Sequence, residues 1–210
     1  MGHQVYTIGR EFGSMGLLVG QRLAERLGIK YYDKELLQQA AKDSGFCEEI
    51  FENHDEKASS SFLYSLVMDT YSVGNYAVAP FLDMPLNHKV FLAQFDTIKN
   101  IAENESCVIV GRCAEMVLKE FEGMISIFIL GDKECKTKRV MEVYDISKEE
   151  ARKKMERHDV YRKQYHNSYC DSKWGDSRSY DLCVNSSRLG IDGTVAMLAD
   201  YIRARMGENK

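Results

Sequence analysis

Gly9, Gly13, Gly16 and Gly20 crowd into the junction between an apolar run and an amphipathic one. Val5, Tyr6, Thr7 and Ile8 read as a buried strand. Leu17 to Leu27 reads as a helix with Leu23 and Leu27 on one face, stopped by Gly28. A strand, a glycine turn and a helix in that order present backbone N–H groups to a phosphate. The helix N-terminus adds roughly half a positive charge at the same point. Gly13, Ser14, Met15 and Gly16 are therefore the expected phosphate-binding residues, as opposed to a tight turn that binds nothing. A P-loop also ends in Lys-Ser/Thr. Counted from Gly9, those positions are Met15 and Gly16.

Short apolar strands alternate with helices along the chain. Strands are expected at 4–9, 29–32, 106–111, 125–130 and 181–185. Helices are expected at 14–27, 33–43, 87–104, 112–121, 133–144, 147–166 and 191–206. Asp33 is placed to cap the second helix, and Ser147-Lys148-Glu149-Glu150 is a capping box for the sixth. This βαβα rhythm implies an α/β fold with a parallel sheet. Residues 46–95 break it: they are rich in Ser, Phe, Tyr and Met and hold both prolines, Pro80 and Pro85. They read as a helical subdomain inserted into a single domain spanning 1–210, and their aromatic content offers a homodimer face.

A net charge of −4 argues against a general nucleic-acid binder. The chain has no run of 18 apolar residues and no leading apolar segment, so no membrane span is expected. None of Cys47, Cys107, Cys113, Cys135, Cys170 and Cys183 forms a Cys-x-x-Cys pair, which argues against a zinc ribbon. Cys107 and Cys183 fall in buried strands as small hydrophobes. The expectation is a cytoplasmic protein with reduced thiols.

Cys107-Val-Ile-Val-Gly111-Arg112 is a strand ending in an arginine, which would point into the crevice where α/β proteins bind ligands. Its planar fork suits a phosphate or a base edge; pairing with Glu115 is the alternative. Residues 152–163 are dense in charge, with Glu149–Lys153 and Glu150–Lys154 spaced as ion pairs on a solvated helix face. The sharper reading makes Arg157 and Arg162 a lid over a polyphosphate, helped by Arg139. A dinucleotide-binding reading competes. Gly9-x-x-x-Gly13-x-x-Gly16 resembles some Rossmann turns, and Asp33 sits where a ribose-binding acid would. Tyr144 and Lys148, however, straddle a helix start, so they cannot act as a reductase pair on one helix face.

Thr7-Ile8-Gly9-Arg10-Glu11-Phe12-Gly13-Ser14, Leu23-Ala24-Glu25-Arg26-Leu27-Gly28, Tyr32-Asp33-Lys34-Glu35 and Val108-Ile109-Val110-Gly111-Arg112 together resemble the cytidylate kinase-like family of P-loop nucleoside-monophosphate kinases. The resemblance spans nearly the whole chain, strongest at 5–36 and 106–130 and thin in 46–95. It implies a P-loop-type parallel sheet with helices on both faces, a helical NMP-binding insertion and an arginine-bearing lid at 147–166. It implies ATP and Mg²⁺ as cofactors, small nucleotides as partners, and transfer of the γ-phosphate to a CMP-like acceptor. Residues 10–16 would hold the ATP phosphates, Asp33 and Arg112 the acceptor, and Arg157 and Arg162 the transferred phosphoryl. Aligned on Gly13-Ser14, the family's lysine falls on Gly16 and its metal-binding hydroxyl on Leu18, leaving the metal ligands unassigned. Where cytidylate kinase continues Gly-Arg-Asp, this chain has Cys113. Arg10, the cation of the turn itself, is the expected substitute for the lysine, with pairing to Glu11 as the alternative. A nucleotide binder with little turnover is the second reading, and an NAD(P)-binding reductase the third.

Overall fold

The computed structural model describes residues 2–33, 35, 36, 39, 42, 43 and 86–207. Five parallel strands form one sheet: β1 (Val5–Arg10), β2 (Lys30–Tyr32), β3 (Cys107–Val110), β4 (Met124–Leu130) and β5 (Leu182–Asn185). Their order is β2-β3-β1-β4-β5. Val5 pairs with both Cys107 and Met124, so β1 lies at the centre of the sheet, hydrogen-bonded on both edges.

Alternation along the strands sorts side chains to two cores. Val5, Cys107 and Ile109 join Phe91, Phe95, Ile98, Tyr165 and Tyr169 on one face. Tyr6, Ile8, Val108, Val110, Ile127 and Ile129 join Val19, Leu23, Leu198 and Ile202 on the other. Both faces are buried, which is why the strands read as continuous apolar runs. The helices that cover them are α1 (Gly16–Leu27), α2 (Leu86–Asn104), α3 (Ala114–Val117), α5 (Lys148–Tyr169) and α6 (Ser186–Arg205), while α4 (Lys133–Tyr144) packs on α5 in a third, smaller cluster of Val140, Ala151 and Met155.

Local chemistry sets the helix ends. After α1, Gly28 turns left-handed at φ 66° and the next N–H, from Ile29, reaches back to the Ala24 carbonyl at 3.1 Å. Ser147 and Glu150 form the expected capping box of α5. Glu149 pairs with Lys153 at 2.7 Å as expected. Glu150 instead serves the cap, and the Lys154 ammonium lies over the Tyr144 ring.

Two helices differ from expectation. The helix expected at 112–121 is a single turn, Ala114–Val117, because Gly111, Arg112 and Cys113 all have positive φ and hold the chain out of a right-handed helix. The last helix begins at Ser186, five residues early, where the Asn185 side chain accepts from the Ser187 N–H; a kink at Gly190 separates it from the expected part. Of the expected helix 33–43, residues 35, 36, 39, 42 and 43 are helical. The insertion expected at 46–95, with its dimer face, lies outside the described residues up to the start of α2. Among the described residues no helix is long and apolar enough to cross a membrane.

Candidate functional site

The strand order places the carboxyl ends of β1, β2 and β3 beside one another, where the chain leaves β1 for the far edge of the sheet. Such a switch point opens a crevice in parallel α/β sheets. Here it holds a cleft of about 350 Å³ lined by the turn residues Arg10 to Gly13, by Met15 to Leu17, and by Asp33, Arg139, Val140, Val143, Tyr144 and Arg162.

Arg10 ends β1 and runs across this floor. A Cβ placed on Gly16 would stand 2.5 Å from the Arg10 Cβ and 3.2 Å from its Cγ. A Cβ on Gly111, at the end of β3, would overlap the Arg10 guanidinium. The Arg10 stem therefore lies over the start of α1, and its charged end lies over the turn after β3. Both glycines are required by this close approach. Glu11 turns elsewhere: its carboxylate accepts from Lys136 Nζ at 2.8 Å and from the Gly131 N–H at 3.0 Å. Asp33, at the end of β2, lines the same cleft, and both Asp33 and Arg10 act on Tyr31. Burial is the main force pushing the Tyr31 phenol up, Asp33 adds to it, and Arg10 opposes it.

The turn is built from its own polar groups. Ser14 is fully buried; its hydroxyl donates to the Glu11 carbonyl at 2.8 Å, and its carbonyl accepts from Ser186 Oγ at 2.5 Å. The Ser14 N–H also donates to the Glu11 carbonyl, at 3.3 Å, so Ser14 shapes the turn and leaves ligand contact to its neighbours. Gly13 and Met15 adopt positive φ, 78° and 65°, to either side of it.

Helices α4 and α5 clasp this turn from outside. The Phe12 N–H donates to Asp159 at 2.6 Å, and the Phe12 ring stacks on His158 with centroids 4.3 Å apart and planes 6° apart. Lys136 Nζ, already on Glu11, stands 3.9 Å from Asp159. Burial raises the Asp159 carboxyl above its ordinary range, against the pull of the Phe12 N–H and of Lys136. Arg139 donates to the Gly13 carbonyl and Arg162 to the Arg10 carbonyl, each at 3.4 Å. Arg162 also lies over the Phe12 ring. Arg157 stands apart. Five residues from Arg162 on α5, it is turned about 140° round the helix and is exposed.

Arg112 sits in a second, smaller hollow with Gly9, Arg10, Gly111, Cys113, Glu115, Arg162, Tyr165, His166 and Trp174. It is buried at φ 63°, inside the left-handed stretch that follows β3. Backbone held in this way, at a strand end facing a crevice, is costly and is typical of ligand sites. Glu115 is next to His166, with Oε1 and Nε2 3.0 Å apart. The structure thus brings Arg10, the turn 13–16, Asp33, Arg112 and Arg162 to one edge of the sheet, and leaves Arg157 outside.

The family model that matches residues 5–188 is that of the cytidylate kinase-like family. The chain belongs to this family. It is 39% identical to an uncharacterized protein from Eubacterium ventriosum whose crystal structure superposes with a TM-score of 0.71, over 95% of this chain and 98% of that one. Shikimate kinase from Bacteroides thetaiotaomicron superposes with a TM-score of 0.54 at 11% identity, over 95% and 98% of the two chains, a likeness of fold. No curated protein is similar enough to count as a match. The family and its neighbours make this a P-loop kinase-like fold.

Sequence reasoning missed the tether of Lys136, Glu11 and Asp159. Lys136 sits in a lysine-rich helix, where nothing in its spacing distinguishes the one lysine that folds inward. Phe12 in a glycine turn was the available signal, since a large ring beside the loop needs a partner to cover it.

Proposed function

We propose that this chain transfers the γ-phosphate of ATP to a CMP-like nucleoside monophosphate or a related small acceptor. The observation that carries the reading is the path of Arg10. It joins the turn where a nucleotide's phosphates would lie to the β3 end where an acceptor would lie, and its stem fills the place of the family's lysine.

The N–H groups of residues 11, 12, 14 and 16 bond within the protein. A phosphate would be met by the N–H groups of Gly13 and Met15 and by the first turn of α1. Asp33 and Arg112 would hold the acceptor. An acceptor phosphate oxygen would form the new bond to the γ-phosphorus as the bond to the ADP oxygen breaks. Arg10 and Arg162 would face the charge on the oxygens in between, where catalysis is positioning and electrostatics. Arg139, hydrogen-bonded to the loop, would hold it in place. Arg157 would act only if α5 turned it inward. A bound Mg²⁺ would supply positive charge to offset that of the phosphates. The loop offers it no hydroxyl, since Leu18 occupies that position and Ser14 Oγ is engaged, so Asp33 is the cleft carboxylate placed to approach it.

The engaged Ser14 hydroxyl also favours a second reading, nucleotide binding with little turnover. A thermal-shift panel of ATP, CMP, UMP, dCMP, NAD and NADP, followed by an assay for Mg²⁺-dependent ADP formation, separates the readings. The proposal expects ATP and a pyrimidine monophosphate to raise the melting temperature and ADP to appear only with both. Stabilisation without ADP selects the second reading. A response to NAD or NADP alone overturns both.

A further inference from the structure

At the wall of the hollow that holds Arg112, three metal-binding side chains come together from two parts of the chain, with Cys113 beside them. Cys113 and Glu115 lie in the turn and short helix after β3; His166 and Cys170 lie at the end of α5. The ligand atoms of Glu115, His166 and Cys170 all fall within 4.8 Å of one another. Cys113 lies beside the Cys170 thiol, outside that group of three. Cys113, His166 and Cys170 are 4%, 3% and 8% exposed, and the Glu115 side chain is 9% exposed. His166 Nε2 faces Glu115, while Nδ1 lies 3.4 Å from the Asn167 side-chain oxygen, which also accepts from the Trp174 N–H. His166 Nε2 is buried and, although 3.0 Å from Glu115, makes no hydrogen bond, so the nitrogen that faces the cluster is left unsatisfied. The two thiols belong to the apolar core of that sheet face and stand against this unsatisfied nitrogen.

The geometry points to a tetrahedral site for a soft divalent cation of the zinc class, with Cys113, Glu115, His166 and Cys170 as its ligands. Two sulfurs, one nitrogen and one oxygen are the donors zinc takes. Bond lengths of about 2.0–2.3 Å imply ligand–ligand edges of about 3.3–3.8 Å, so on binding the Cys170 thiol would move in by about 1 Å, Cys113 would follow it into the cage, and Glu115 Oε1 and His166 Nε2, 3.0 Å apart, would spread slightly. The imidazole has the arrangement of a metal ligand: one nitrogen faces the cage and the other meets an outer oxygen. On binding, the cation would take the two sulfurs as thiolates, and their two protons would leave to solvent. Two thiolates, a carboxylate and a 2+ ion sum to one negative charge, and Arg112 in the same hollow is the cation beside it. The site would fasten the end of α5 to the turn that carries Arg112. This concerns metal content and stands apart from the phosphotransfer reading.

The test uses the full chain, kept reduced, stripped with a chelator and titrated with Co²⁺ and then Zn²⁺. The expected result is one equivalent of Co²⁺ giving intense tetrahedral d–d bands and a thiolate-to-cobalt charge-transfer band scaled to two sulfurs. Zn²⁺ should displace it and raise the melting temperature. Cys170→Ser and His166→Gln, checked for folding by circular dichroism, should each weaken Zn²⁺ binding by more than the roughly tenfold to hundredfold typical of outer-sphere partners. Cys135→Ser, at an exposed thiol, should bind as the parent does. The parent spectrum decides the matter even if a ligand variant fails to fold. A weak octahedral spectrum, no uptake, or unchanged binding in a folded Cys170→Ser would overturn the proposal. So would a Cys113–Cys170 disulfide forming in air in a protein that takes up no metal.

Discussion

The side chain of Arg10 fills the room that any side chain at Gly16 would need, the two Cβ positions falling 2.5 Å apart. Cation and helix start are thus mutually exclusive tenants of one space, and the loop cannot be returned to a lysine-bearing form by a single change. Gly16→Lys should destabilise the fold by about 1–3 kcal/mol, the cost of overpacking. Arg10→Gly, which removes the Cβ in contact, should recover much of that loss when added to it. Chemical denaturation of the two single variants and the double variant reads the coupling, and strict additivity would count against the shared space.

Removing Arg10 alone tests its charge. Arg10→Ala should weaken ATP by about 1.5–3 kcal/mol, the range for hydrogen bonds to charged groups, with little change in melting temperature. Isothermal titration against the parent gives the difference. Equal affinities would assign Arg10 a packing role.

The two arginines expected to form a lid should behave differently. Arg162 lines the cleft and donates to the Arg10 carbonyl; Arg157 is exposed. Arg162→Ala should lower kcat more than it raises KM, as for a group acting on transition-state charge. Arg157→Ala should change stability by less than about 0.5 kcal/mol and leave both constants near the parent's. A kcat loss in Arg157→Ala equal to that in Arg162→Ala would mean that α5 rotates during turnover.

Asp159 gives a pH signature opposite to that of most carboxylates. Burial raises its folded-state pKa above 3.8, so the folded chain holds this proton more tightly than the unfolded one. The group's contribution to stability therefore falls as pH rises through the interval above 3.8, and is best below it. Asp159→Asn keeps an oxygen for the Phe12 N–H and removes the buried charge. It should be at least as stable as the parent at pH 7, with the difference shrinking as pH falls toward 4. Melting curves at several pH values check this, and a growing difference on acidification would reverse the sign.

Ser147→Ala should cost about 1 kcal/mol by removing the capping box of α5. Urea unfolding measures it, and because Ser147 lies far along α5 from Arg162, nucleotide affinity should hardly change.

The sheet was legible because its strands are buried on both faces. Val108, Ile109 and Val110 are apolar without alternation, and such runs between helical patterns leave few alternatives. The positions of the glycine turn, Asp33 and Arg112 were legible for a similar reason, since each stands where a strand must stop. What composition could not show was which member of a charged helix turns inward. Arg157 and Arg162 share a residue type and a helix, and only the packing of Phe12 between α4 and α5 separates them. The one-turn α3 was equally hidden. Residues 112–121 carry ordinary helical propensity, and the left-handed backbone at Arg112 and Cys113 is imposed by the tertiary site around them.

The central place of β1 has a dynamic consequence. A P-loop lysine rides on the first turn of a helix, at the end of a loop that can breathe. Arg10 instead terminates a strand whose amides are laddered to β3 on one edge and β4 on the other. Core strands of this kind open only with the whole molecule. In native-state hydrogen exchange, the amides of Thr7 to Gly9 should therefore exchange at the rate of global unfolding, orders of magnitude slower than those of Gly13 and Met15. The cation would then keep its position while the loop beside it opens and closes, so that a nucleotide arrives at a charge already in place.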